Sequence, residues 1–158
     1  MTTTTNPASE TDRIEKRITL RAAPSRVWQA ISSSREFGTW FEAEFREEFA
    51  PGATVHGRIT HKGFEHLTME LQIERMEPER LFSFRWHPFA IEPDVDYSAE
   101  STTLVEIRLE PAQGGTELIV SESGFDRIPA SRRAKAFEMN AKGWAEQLRN
   151  IERHVAGA

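Results

Sequence analysis

From Ala43 to Ser123 apolar and polar positions alternate with a period of two, and from Ser131 onward they recur with the period of a helix. In the first region Leu67, Met69, Leu71 and Ile73 share one face of their run. Phe82, Phe84 and Trp86 share one face of the next, followed by Val105, Ile107 and Leu109, then by Leu118 and Val120. The opposite positions carry Glu70, Gln72, Ser83, Arg85, Glu106 and Arg108. One wet face and one covered face are what antiparallel strands require. Pro51-Gly52, Lys62-Gly63, Pro78-Glu79 and Gly114-Gly115 punctuate the runs as turns. In the second region Phe137, Ala141, Trp144, Leu148, Ile151 and Val155 follow one another at steps of four and three, with Lys135, Glu138, Lys142, Glu146, Arg149 and Arg153 on the far side. The spacing predicts one helix over Arg132–His154, roughly 35 Å long at 1.5 Å per residue. Such a stripe must be covered, and the sheet's apolar face is the surface available to cover it.

Ahead of these regions, Ile14 to Ala22 reads as a strand, with Ile18 and Leu20 alternating against Arg17, Thr19 and Arg21. Pro24 suits the first position of a helix, and Val27, Trp28 and Ile31 are spaced to continue it over Ala23 to Ile31. Phe37, Trp40 and Phe41 suggest a second short helix over Phe37 to Phe41, which Gly38 weakens. The fold class expected is therefore α+β: a curved antiparallel sheet around a long C-terminal helix, with two short helices after the first strand. A straight helix on a curled sheet leaves unfilled space, so a cavity is expected between them. Residues 1–13 read as a disordered leader and 14–156 as a single domain.

Composition narrows the chemistry. The chain of 158 residues has no cysteine, which removes disulfides, zinc ribbons, iron–sulfur clusters and thiol catalysis. A formal charge of -5 argues against nucleic acid as a partner, and no stretch is long and apolar enough to span a bilayer. The threonine-rich Met1 to Asp12 has no apolar run to act as a signal peptide, so a cytoplasmic location is expected. His56, His61, His66, His87 and His154 show no metal-ligand spacing, and His61 and His66 fall on an exposed hairpin. No metal or cofactor is expected. The Pro88–Ser101 segment is long for a hairpin and reads as a lid or a disordered loop.

The candidate that parity singles out is Glu122, two residues after Val120 on the inward face. A carboxylate aimed at an apolar cavity has its pKa raised by desolvation and becomes able to exchange a proton; the plainer alternative places it at a rim or satisfied by an arginine or backbone amide. Trp86 and His87 end the most aromatic strand, where such a cavity would open. Gly143, within the long helix, costs about 1 kcal/mol relative to alanine. Close packing of helix on sheet is the expected compensation, with contact to a ligand the alternative.

Several short stretches also carry a family resemblance: Ala23-Pro24 with Val27-Trp28, Trp40-Phe41, Pro78-Glu79-Arg80-Leu81, Gly115-Thr116-Glu117-Leu118, Glu122-Ser123-Gly124-Phe125 and Gly143-Trp144 with Leu148. Through them the chain resembles the activator of Hsp90 ATPase homologue group of the START-related, birch-pollen-allergen-like (SRPBCC) superfamily, over Ile14 to Val155. The resemblance implies a helix-grip fold with an internal apolar pocket, but neither one ligand nor one reaction, since fold carries little function by itself. The function expected is binding of a small hydrophobic or aromatic molecule without turnover, by a monomer or homodimer. The expected walls are Trp40, Met69, Phe84, Trp86, Val105, Ile107, Glu122, Trp144 and Leu148. The alternatives are a cyclase or hydrolase using Glu122, with His87 as a second group, and a chaperone-ATPase-activating interaction module presenting Arg132-Arg133 and Arg149.

Overall fold

The computed structural model describes residues 9–92 and 94–156. A single helical turn, α1 (Ser9–Asp12), leads directly into β1 (Arg13–Leu20). Helices α2 (Pro24–Ser32) and α3 (Ser34–Phe41) follow, then β2 (Ala43–Phe45), β3 (Thr54–Ile59), β4 (Thr68–Glu77), β5 (Leu81–Trp86), β6 (Thr103–Ala112) and β7 (Gly115–Ser123). A short 3-10 turn (Phe125–Arg127) precedes α4 (Ala130–Ala156). The seven strands form one antiparallel sheet in the order β1-β7-β6-β5-β4-β3-β2. Every sequential neighbour from β2 to β7 is a hairpin, and the chain start closes the other edge by pairing β1 on β7, with Ile14 opposite Glu122.

Of the residues 1–13 read as a leader, Ser9–Asp12 form the α1 turn and Arg13 opens β1. Asp12 accepts the backbone N–H of Asp126 at 2.9 Å through its side chain, and Thr11 Oγ1 donates to the Asp126 carboxylate at 2.8 Å. Residues 1–8 lie outside the described residues.

The two short helices exist because their ends and their contact are both specified. Pro24 occupies the start of α2. The Ser33 hydroxyl caps α3 by accepting the Glu36 N–H at 3.2 Å. The Trp40 indole donates to the Ala30 carbonyl at 2.9 Å, tying α3 to α2. Gly38, which weakens helix propensity, is required: a Cβ there would sit 2.1 Å from the Ala43 carbonyl oxygen. The Glu36 carboxylate meets Arg26 and His154, each at 2.8 Å, so one buried anion joins α2, α3 and the end of α4. Burial pushes this carboxyl up, but the hydrogen bonds from His154 and Arg26 outweigh it and hold Glu36 below the ordinary 4.5. A lowered folded-state pKa gives stability that is present above about pH 4.5 and lost as pH falls through the folded value. Glu36→Gln is therefore expected to flatten the acid limb of a melting-temperature profile, and an unchanged slope between about pH 5 and about pH 3 would contradict this.

The long helix packs with Ala136, Trp144, Leu148, Ile151 and Val155 buried, while Phe137 and Ala141 are only half-buried at the edge of its apolar stripe. Phe137 is engaged by Phe125, ring centroids 5.2 Å apart. Beneath the helix the concave side carries an aromatic cluster. Phe37 lies within 4.6–6.3 Å, centroid to centroid, of Trp40, Phe41, Phe45, Phe49, Phe82 and Phe84. Trp40, Phe84, Val105 and Ile107 are buried members of the core, as is Leu148.

Candidate functional site

Where β5, β6, β7 and the middle of α4 converge, a carboxylate is enclosed by uncharged donors. Glu122 is fully buried. Its Oε1 accepts the Trp144 indole N–H at 2.8 Å and an Asn140 amide N–H at 3.1 Å. Its Oε2 accepts the Thr103 hydroxyl at 2.6 Å, the Trp86 indole N–H at 2.7 Å and Asn140 again at 3.1 Å. The register explains the convergence: Glu122 is opposite Val105, Thr103 lies two residues earlier on the same face of β6, and Trp86 is opposite Thr103. Asn140 and Trp144, one helical turn apart, meet the carboxylate from α4.

Burial drives the Glu122 carboxyl above its ordinary range, and the hydrogen bonds from Thr103, Trp86, Trp144 and Asn140 oppose but do not cancel that rise. Among the described residues no arginine or backbone amide meets it; its partners are the side chains of Trp86, Thr103, Asn140 and Trp144.

Trp86, Trp144 and Phe41 form a partition over this network. Their rings lie 5.8 Å (Trp86–Trp144), 5.9 Å (Phe41–Trp86) and 6.1 Å (Phe41–Trp144) apart. Outside the partition is an open recess of about 570 Å³. Its floor is Phe41, Trp86 and Asn140; one wall is Ile59 with the 66–70 segment, including Met69, and the other is the loop after β5, with His87, Phe89, Ile91, Val95 and Tyr97. A smaller recess of about 140 Å³ adjoins the partition, lined by Phe41, Trp86, Asn140, Gly143, Trp144 and Gln147.

The loop wall is fastened from α4. Arg132 donates to Glu100 through Nε at 2.9 Å and Nη2 at 2.6 Å, and through Nη1 to the Pro88 carbonyl at 2.8 Å. Its guanidinium also lies 4.7 Å from the Tyr97 ring centroid. His87 Nε2 donates to the Glu100 carbonyl at 3.1 Å. The long β5–β6 connection is thus a fixed wall through its described residues.

Of the nine expected wall residues, Met69 and Trp86 line the larger recess and Trp86 and Trp144 the smaller. Glu122 lies behind the partition and lines neither. Phe41, Asn140 and the loop residues are the additions. Parity along β5 and the α4 stripe could have pointed to Asn140, one turn before Trp144; no periodic signal could have placed the loop. Gly143 is not closely packed: a Cβ there would meet nothing within 4 Å, and the residue faces the smaller recess. Arg132 and Arg133 are spent inside the fold, Arg133 donating to the Ile128 carbonyl at 3.0 Å, which leaves Arg149 of the arginines considered for a docking surface. Among the described residues no group of three or more His, Asp or Glu side chains is placed to hold a metal ion, and no helix is long and apolar enough to cross a membrane.

Residues 21–156 match the family described as Activator of Hsp90 ATPase homolog 1-like protein. Among solved structures, the chain is similar to DynU16, a protein of the dynemicin biosynthetic locus, with 20% identity and a TM-score of 0.69. That alignment covers 92% of this chain and 47% of DynU16, so this chain spans about half of that protein. MLL2253 from Mesorhizobium loti is 19% identical with a TM-score of 0.72, covering 92% of this chain and 98% of its own. The Aha1 dimer from Colwellia psychrerythraea is 16% identical with a TM-score of 0.68, covering 90% of this chain and 95% of its own. These likenesses show the fold. None of the curated proteins matches the chain.

Proposed function

The chain belongs to the Activator of Hsp90 ATPase homolog 1-like family, and from that premise we propose that it binds a small aromatic or otherwise apolar molecule in the recess beside Trp86. The observation that carries this reading is the recess itself. About 570 Å³ falls within the range of small-molecule sites, and most of its wall is apolar or aromatic with a few polar groups between. The arrangement is held open by the Arg132 fastening on one side and the Glu122 network on the other, so binding needs little ordering of the protein. Flat guests are favoured, because Phe41, Trp86, Phe89 and Tyr97 offer ring faces rather than a narrow tube.

Proton-transfer catalysis ranks behind binding. Glu122, whose pKa burial raises, lies behind the partition and lines neither recess, whereas a general acid or base must reach the proton it moves. A chaperone-directed surface ranks behind it as well, since the arginine pair that would anchor one is engaged within the fold.

Binding is expected to perturb the indole N–H resonances of Trp86 and Trp144 and to leave that of Trp40, bonded to Ala30 in the core, in place. It should also raise the melting temperature by mass action, equivalent to about 2.7 kcal/mol at a hundredfold excess over Kd. A screen of neutral bicyclic and tricyclic aromatics that moves neither indole signal nor the melting temperature overturns the proposal.

A further inference from the structure

We infer, resting on the binding reading above, that the recess selects guests whose polar end is a hydrogen-bond donor, an amine or hydroxyl on an aromatic frame, and rejects carboxylates. Asn140 holds its Nδ2 at 3.1 Å from both oxygens of Glu122. A primary amide carries its donors on nitrogen and its acceptor on oxygen, so facing a carboxylate fixes which end points which way. The carbonyl Oδ1 is then turned away from Glu122, and it has no hydrogen-bond partner among the described residues. Asn140 lines both recesses. The buried Glu122 oxygens thus set the polarity of the floor: an acceptor is offered to the guest.

The walls agree in sign. Among the described residues no lysine or arginine lines the larger recess, while Glu70 and Glu92 do, beside His66, His87 and the hydroxyls of Thr68 and Ser98. Glu70 has His56 at 3.4 Å for a partner, and both side chains are about half exposed. The cation behind the loop wall, Arg132, is saturated by Glu100 and the Pro88 carbonyl and lies against the Tyr97 ring. Behind the floor, the hydrogen-bond partners of Glu122 among the described residues are all neutral donors. An entering carboxylate would give up its hydration and meet two carboxylates and aromatic rings, with the Thr68 and Ser98 hydroxyls and the imidazoles as its donors and no fixed cation. An ammonium group would meet the same rings as a cation–π partner and the Asn140 oxygen as an acceptor.

The test uses four ligands on one frame, measured with the full chain by isothermal titration calorimetry at neutral pH: 2-naphthylmethylamine, 2-naphthalenemethanol, 2-methylnaphthalene and 2-naphthoate. The amine and the alcohol are expected to bind at least about threefold tighter than the methyl compound, the size of one net hydrogen bond. Naphthoate is expected to bind weaker than the alcohol by about tenfold or more. In Asn140→Ala the alcohol-to-methyl ratio should fall toward one, a change that loss of packing alone would not produce. An unchanged ratio in a folded Asn140→Ala would overturn the role given to Asn140. Naphthoate binding as tightly as the alcohol overturns the selectivity while leaving the recess as a binding site. If none of the four binds, the binding reading falls and the selectivity with it. Should Asn140→Ala fail to fold, the ranking of the four ligands on the native chain decides alone.

Discussion

Glu122→Leu is expected to destabilise the fold by on the order of 2–4 kcal/mol, although it replaces a charged side chain with an apolar one at a fully buried position. The reason is what it leaves behind. Two indole N–H groups, a hydroxyl and an amide end on this one carboxylate. The Thr103 hydroxyl can rotate and Asn140 borders the open recess, but the indoles of Trp86 and Trp144 are held by their ring packing and have no second acceptor among the described residues. Each buried donor left unmade costs about 1–3 kcal/mol, and removal of the carboxylate's own desolvation penalty offsets part of the sum. Glu122→Gln keeps the shape but has only one oxygen, so one indole must face an NH2 group, and a smaller loss of about 1–3 kcal/mol is expected. Denaturant titration orders the two, and a Leu variant as stable as the native chain would refute the network's role. The sign with pH is opposite to that at Glu36. Because burial raises the Glu122 pKa, the folded state holds its proton after the unfolded chain has lost it. Its contribution is largest below the unfolded value near 4.5 and diminishes as pH rises through the folded value.

The same network shows what was legible in the sequence and what was not. The sheet, the two short helices and α4 follow from period and punctuation, because each element's apolar face is written in its own residues. Inward orientation of Glu122 follows from parity with Leu118 and Val120. Its partners come from three other elements, and only the strand register brings Thr103 and Trp86 to it. Phe45 and Phe49 lie in short or irregular segments whose periodicity says nothing of direction, and both pack against Phe37. The recess beside Trp86 has for one wall a loop fastened by Arg132. Side-chain-to-carbonyl fastening of that kind leaves no periodic trace. Gly143 carried a real signal, a helix-weakening residue in mid-helix, but open space rather than close packing is what it faces.

Trp144→Ala is expected to cost on the order of 3–5 kcal/mol, the range for truncating a large aromatic in a core. Trp144 is 4% exposed and performs three tasks at once. Its ring joins Trp86 and Phe41 in the partition, its position on α4 presses helix against sheet, and its N–H supplies a donor to Glu122. The tasks separate by substitution. Trp144→Phe keeps an aromatic ring in the partition and removes the donor, so it should cost about 1–2 kcal/mol, part of it from the smaller ring volume. In Trp144→Ala the partition opens, the two recesses merge toward Glu122, and a bulky neutral aromatic should restore more stability to the variant than to the native chain. Because Trp144 and Glu122 touch, their effects should not add: the Glu122→Leu/Trp144→Phe double variant should fall short of the summed losses by about 0.5 kcal/mol or more, since the indole donor that Leu strands is already gone. Strict additivity in that cycle would show that the hydrogen bond between them contributes nothing and that Trp144 acts through packing alone.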